Sequence, residues 1–129
     1  MKGAEATAMA IYLLKEGASK EEVREVINRD YYKLDFTLDE IRDDYDFDGS
    51  CQGTVPQAIE AFLESTSFED AIRNAISLGG DSDTLAAITG GLAEACYGIP
   101  EDIRREALTY LENADDLKRI INDFESRYM

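Results

Sequence analysis

Residues 79–98 read GGDSDTLAAITGGLAEACYG, a stretch in which two glycines precede an acidic segment and then a run of small and apolar residues. Gly79 and Gly80 are expected to end one helix, because glycine readily adopts the backbone conformation that follows a helix C-terminus. Small and apolar residues then continue without a break. The pattern therefore predicts a second helix that runs from about Ser82 to Tyr97.

Three positions inside this predicted helix bear on its packing. Gly90 and Gly91 cost about 1 kcal/mol each relative to alanine in a helix interior. Close packing against neighbouring helices is the expected compensation for that cost. Cys96 lies among small and apolar neighbours, so it is predicted to be a core residue and not a reactive thiol.

Helical periodicity extends over nearly the whole chain. Ser19 with Glu22, and Thr37 with Glu40, have the spacing of a capping box, which marks the start of a helix. Ser67 is expected to cap a further helix. Apolar residues do not alternate at period two for long, so strands are not expected. The predicted fold class is all-α, in a single domain over residues 1–129.

Other helix boundaries follow from single residues. The first helix is predicted over residues 3–15, with Gly17 just beyond its C-terminus. Thr54 is expected to cap a helix that has Pro56 in its first turn, after an acidic loop over residues 43–53. Pro100 is expected to start another helix.

Composition excludes several classes of function. The 129 residues carry a net charge of -15, which disfavours binding to nucleic-acid phosphates and to anionic membrane surfaces. The absence of histidine excludes a Ser-His-Asp triad, a Cys-His dyad and an imidazole metal ligand. The two cysteines are expected to be free thiols in the reducing cytoplasm. No apolar run is long enough to predict a membrane-spanning helix.

The start of the glycine-preceded helix carries candidate metal ligands. Asp81, Asp83 and Thr84 are hard oxygen ligands within one turn, which suits Mg²⁺ or Mn²⁺. The two glycines would allow close backbone approach to a ligand, and the free N–H groups at the helix start could hold a phosphate. The same residues are also ordinary helix punctuation, so spacing alone leaves both interpretations open.

A second acidic cluster lies at residues 44–49. Its sequence, DYDFDG, matches the opening of a calcium-binding EF-hand loop. The twelfth position of such a loop requires a bidentate glutamate, and here it is Val55. A solvated acidic loop is the simpler interpretation, and a loop that borders a ligand cleft is a third.

Residues 79–98 closely resemble the C-terminal signature of the ADP-ribosylglycohydrolase family, which includes the dinitrogenase reductase-activating glycohydrolases. Residues 50–58 (SCQGTVPQA) and 2–8 (KGAEATA) also resemble segments that precede the signature in bacterial members. The resemblance implies an all-α domain that holds Mg²⁺ or Mn²⁺, as a pair of ions when the site is complete. It implies cleavage of the glycosidic bond to ADP-ribose.

The residues of the implied site follow from the matched signature. Asp81, Asp83 and Thr84 are the implied metal ligands. The implied substrate contacts are Gly79, Gly80, Ser82 and, as an aromatic surface for adenine, Tyr97. No catalytic residue is assigned.

The resemblance covers the C-terminal half of the fold. Family members are about twice this length or more, and their first half carries another Thr-Asp-Asp ligand cluster. The helix predicted to begin almost at Met1 without a cap is consistent with a partial domain. Two functions are therefore expected: a hydrolase that requires the missing half, or an inactive helical remnant that serves assembly. Expected partners are ADP-ribose or an ADP-ribosylated substrate, and either further copies of this chain or a complementary N-terminal half.

Overall fold

A computed structural model describes residues 1–129. It contains eight α-helices and no strand, which confirms the all-α prediction. The helices are α1 (Lys2–Lys15), α2 (Lys20–Asp30), α3 (Leu38–Ile41), α4 (Cys51–Leu63), α5 (Phe68–Ser77), α6 (Ser82–Tyr97), α7 (Glu101–Tyr110) and α8 (Ala114–Tyr128). None of these helices is both long enough and apolar enough to span a membrane.

The helices divide into two compact units, Met1–Gly98 and Ile99–Met129. In the first unit, α6 contacts α1, α4 and α5, and α4 also contacts α1, α3 and α5. In the second unit, α7 and α8 have no buried residue, and Arg104 lies 4.0 Å from the Glu125 carboxylate. A single domain over residues 1–129 stays a prediction.

Three helices begin at the capping residues that the sequence predicted. Ser19 with Glu22, and Thr37 with Glu40, make both hydrogen bonds of a capping box, and Ser67 accepts a hydrogen bond from the backbone N–H of Asp70. Each pair is three residues apart, so the hydrogen bonds can form before any tertiary contact exists.

The predicted start of α4 is wrong by several residues. Ser50, and not Thr54, caps this helix, and the Ser50 hydroxyl accepts a hydrogen bond from the backbone N–H of Gly53. The Thr54 hydroxyl instead donates to the carbonyl oxygen of Asp48 at 2.8 Å. Pro56 consequently lies inside the helix and not in its first turn.

The prediction that Cys96 belongs to the core is also wrong, since its side chain is exposed. The buried positions of α6 are Leu85, Thr89, Leu92 and Ala93. This buried stripe ends before the last turn of the helix, where Cys96 lies.

The two glycines of α6 lie at close helix contacts, as the sequence predicted. A Cβ atom added at Gly90 would lie 3.3 Å from Cδ1 of Ile72 on α5. A Cβ atom added at Gly91 would lie 3.6 Å from Cδ1 of Ile11 on α1, an ordinary van der Waals distance. The two positions therefore differ in how much room they leave.

We expect Gly91→Ala to raise the free energy of unfolding by about 0.5–1 kcal/mol, because alanine restricts the unfolded chain and contacts Ile11 without overlap. Urea unfolding followed by circular dichroism measures the change. Gly90→Ala is the matched control and should gain less, since Ile72 must move to admit the methyl group. A loss of stability in Gly91→Ala would contradict the prediction.

Candidate metal-binding site at the start of α6

The turn between α5 and α6 requires glycine at two consecutive positions. Gly79 has φ 74° and Gly80 has φ 64°, in the left-handed region that strains other residues. These two residues turn the chain so that Asp81 occupies the N-cap position of α6. The Asp81 side chain makes no capping hydrogen bond there, so the simple capping interpretation leaves its carboxylate without a role.

Asp81 and Asp83 lie side by side. The neighbouring Asp81 carboxyl group, and after it the backbone N–H of Thr84, hold the pKa of Asp83 below its ordinary value. The Thr84 N–H donates to Oδ1 of Asp83 at 3.0 Å. Neither carboxylate forms an ion pair with lysine or arginine. Two neighbouring acidic groups thus lie without a basic partner at a place where a cation could bind.

The donor set fits a hard divalent cation in part. Two carboxylates and the exposed hydroxyl of Thr84 are oxygen ligands of the type that Mg²⁺ and Mn²⁺ prefer. No three acidic or cysteine side chains come together in an arrangement that could hold a metal ion. The remaining ligands would therefore have to be hydroxyl groups, backbone carbonyls, water or residues from another chain.

The acidic loop at residues 44–49 lies against this turn. A Cβ atom added at Gly80 would be 2.9 Å from Cε1 of Tyr45 and 3.2 Å from the carbonyl oxygen of Asp46. Asp48 is engaged elsewhere, because its Oδ1 accepts a hydrogen bond from the backbone N–H of Ser50 at 2.7 Å. The loop therefore lies against the turn before α6, whereas the interpretation that it borders a ligand cleft stays a prediction.

Tyr97 lies at the opposite end of α6. A helix rises about 1.5 Å per residue, so some 22 Å of helix separate Tyr97 from Ser82. The Tyr97 hydroxyl donates to the carbonyl oxygen of Ser65 at 3.0 Å, and the Lys20 ammonium lies 5.2 Å from the centre of its ring. The structure does not bring Tyr97 together with Asp81, and a substrate contact for Tyr97 stays a prediction.

One buried ion pair was missed by the sequence analysis. Glu60 is 1% exposed, and its carboxylate accepts two hydrogen bonds from the Arg24 guanidinium, at 2.7 and 2.8 Å. Both residues line a cleft of about 410 Å³. Burial raises the pKa of Glu60, although Arg24 lowers it. The two residues are 36 positions apart, so no local pattern joins them.

The sequence model of the ADP-ribosylglycohydrolase family matches residues 2–129. The chain belongs to the ADP-ribosylglycohydrolase family. A curated relative in this comparison is the ADP-ribosylarginine hydrolase Tri1 of Pseudomonas putida strain GB-1, which is 36% identical over 103 residues. The match covers 71% of this chain and 26% of the relative, so the chain spans about a quarter of that protein. No solved structure shows a detectable match.

Membership of the ADP-ribosylglycohydrolase family agrees with the resemblance seen at residues 79–98. The turn formed by Gly79 and Gly80 and the acidic start of α6 lie within the matched residues. The metal ligands and substrate contacts themselves stay predictions, because they rest on the motif and on the geometry of the side chains.

Proposed function

We propose that this chain supplies one half of a metal-dependent ADP-ribosyl hydrolase site. Asp81, Asp83 and Thr84 are the proposed ligands of Mg²⁺ or Mn²⁺. The observation that supports them best is a pair of acidic side chains at an uncapped helix start, without a lysine or arginine to neutralise them. Two neighbouring carboxylates repel each other, and a divalent cation bound between them would remove that repulsion.

The remaining residues of the turn have proposed roles toward the substrate. Gly79, Gly80 and Ser82 surround Asp81 in the chain, and the glycines have no side chain to keep a ligand away from the backbone. The backbone N–H groups of Ser82 and Asp83, at the start of α6, have no carbonyl partner within the helix and can donate to a phosphate oxygen, whereas the N–H of Thr84 donates to Asp83. When bound, a divalent cation would orient and polarise water or substrate oxygen atoms for hydrolysis.

The proposed substrate class is an ADP-ribosylated protein side chain. The relative in Pseudomonas putida is described as an ADP-ribosylarginine hydrolase, which makes ADP-ribosylarginine the first substrate to test. The chain spans about a quarter of that relative. We therefore propose metal binding for this chain by itself and hydrolysis for a site completed by a second half.

Isothermal titration of Mn²⁺ and Mg²⁺ into the chain tests the metal site. We expect saturable binding in the unaltered chain and at least a tenfold loss of affinity in the double variant Asp81→Ala, Asp83→Ala, because two charged ligands are removed. The double variant Asp115→Ala, Asp116→Ala is the matched control. It removes the same charge from the first turn of α8 and should bind as the unaltered chain does.

Two results would overturn the proposal. One is equal weakening in both double variants, which would show a general effect of negative charge. The other is a folded chain that binds neither ion. The second result would favour the alternative function, a helical assembly module, for which the exposed apolar residues Ile120 and Phe124 of α8 offer a surface. Titration of ADP-ribose in the presence of Mg²⁺ then tests the substrate half of the proposal.

A further inference from the structure

Tyr45 connects two parts of the first unit that are far apart in sequence. Its hydroxyl donates to the carbonyl oxygen of Gly53, in the first turn of α4, at 2.6 Å. Its ring lies against Gly80, where an added Cβ atom would be 2.9 Å from Cε1. One side chain therefore reaches both the start of α4 and the turn before Asp81.

The environment of Tyr45 keeps this connection in place. Burial, and after it the negative charge of Asp48, raises the pKa of Tyr45, and Asp81 adds to the effect. The hydroxyl therefore stays protonated at neutral pH and donates to the carbonyl oxygen of Gly53.

Gly80 has little freedom beside this ring. The Tyr45 ring lies on one side, and the carbonyl oxygen of Asp46 would be 3.2 Å from an added Cβ atom. Gly79 has the same type of backbone conformation, with nothing within 4 Å of an added Cβ atom. The two glycines thus differ in their surroundings, because the Tyr45 ring and the backbone of Asp46 lie beside Gly80 and nothing lies within 4 Å beside Gly79.

We propose that Tyr45 is a positioning residue for the carboxylates of Asp81 and Asp83. It holds the Gly79–Gly80 turn against the start of α4 and thereby sets where α6 begins. Its action on metal binding rests on the proposed function, whereas its contact with Gly80 does not. The two parts can therefore be tested separately.

The contact is tested by alanine substitutions at the two glycines, without any metal. Both variants lose a similar amount of stability because alanine is strained in the left-handed backbone conformation, but only the methyl group of Gly80→Ala would contact the Tyr45 ring. We expect Gly80→Ala to lower Tm by about 4 °C more than Gly79→Ala does. In a Tyr45→Ala background this difference should fall to less than half. A difference that persists in that background would show that Tyr45 does not constrain the turn.

Positioning is tested by Mn²⁺ affinity in Tyr45→Phe, which keeps the ring and loses the hydrogen bond to Gly53. The turn then has to be ordered when the ion binds, and an ordering cost of about 1 kcal/mol corresponds to about fivefold weaker binding. Thr89→Val is the matched control, because it removes a hydroxyl-to-carbonyl hydrogen bond farther along α6, from Thr89 to Ala58, and keeps the shape of the side chain. It should leave the Mn²⁺ affinity within twofold.

The outcomes separate the two proposals. Unchanged Mn²⁺ affinity in Tyr45→Phe, or equal weakening in Thr89→Val, overturns the positioning role and leaves the metal site standing. An unaltered chain that binds no Mn²⁺ overturns the metal site and with it the positioning role. The Tm comparison then still reports on the contact between Tyr45 and Gly80.

Discussion

Replacement of Arg24 by methionine is expected to lower the free energy of unfolding by about 3 kcal/mol at neutral pH, since it leaves a buried carboxylate without its partner. Glu60 is 1% exposed and receives both of its short hydrogen bonds from Arg24. Methionine keeps much of the aliphatic packing, so the loss reports on the charge and not on a cavity. Urea unfolding at neutral pH measures it.

The loss in free energy of unfolding caused by Arg24→Met should be smaller at lower pH. Burial raises the pKa of Glu60 even with Arg24 present, and without Arg24 the rise is unopposed. A raised pKa in the folded state means that the folded chain holds the proton more tightly than the unfolded chain. The stabilisation that this proton gives is fully present below the pKa of Glu60 in the unfolded chain, about 4.3. It is lost as the pH rises through the pKa of Glu60 in the folded chain. Unfolding at about pH 5 and pH 7 should therefore give a smaller deficit at the lower pH.

Two further variants test whether the loss of stability in Arg24→Met comes from the unpaired carboxylate of Glu60. Arg73→Met breaks an exposed ion pair with Glu69 and should cost less than about 0.5 kcal/mol. The double variant Arg24→Met, Glu60→Leu removes the buried carboxylate together with its half-buried partner and should recover most of the stability. If Arg24→Met costs no more than Arg73→Met, the buried pair does not have the role assigned to it.

The second large effect is expected for Leu85→Ala, at about 3 kcal/mol of lost stability. Leu85 is fully buried on α6, in a core cluster with Leu38, Leu78 and three alanines. Removal of its side chain loses the free energy of burial and leaves a cavity that the surrounding helices fill only in part.

Leu111→Ala is the matched control for this prediction. Leu111 is 43% exposed, so the same chemical change should cost less than about 0.5 kcal/mol. Guanidinium unfolding monitored by circular dichroism measures both variants. Similar costs for the two variants would show that the cluster around Leu85 does not stabilise the first unit.

Most of the helices could be predicted because their start signals lie within a few residues. The pairs Ser19 with Glu22 and Thr37 with Glu40 form their hydrogen bonds within one turn. The start of α4 could not be predicted in the same way. Ser50 and Thr54 are both good caps, and the choice between them depends on the loop around Asp48, to which Thr54 donates.

The residues of the candidate site also differ in how far the sequence could predict them. Asp81, Asp83 and Thr84 are close in sequence and on one helical turn, so the motif alone was enough to propose them as metal ligands. Tyr45 lies 35 residues before Gly80, and no pattern in the chain relates the two. Tyr97 belongs to the same signature as Asp81, yet the length of α6 separates them.

The sequence by itself determined the all-α class, the helix starts at Ser19 and Thr37, and the acidic turn before α6, because each depends on atoms within a few residues of one another. Only the tertiary structure decided that Glu60 is buried against Arg24 and that Tyr45 lies against Gly80. Burial and contact across tens of residues depend on how the helices pack together. That packing is a property of the whole unit and leaves no local mark in the chain.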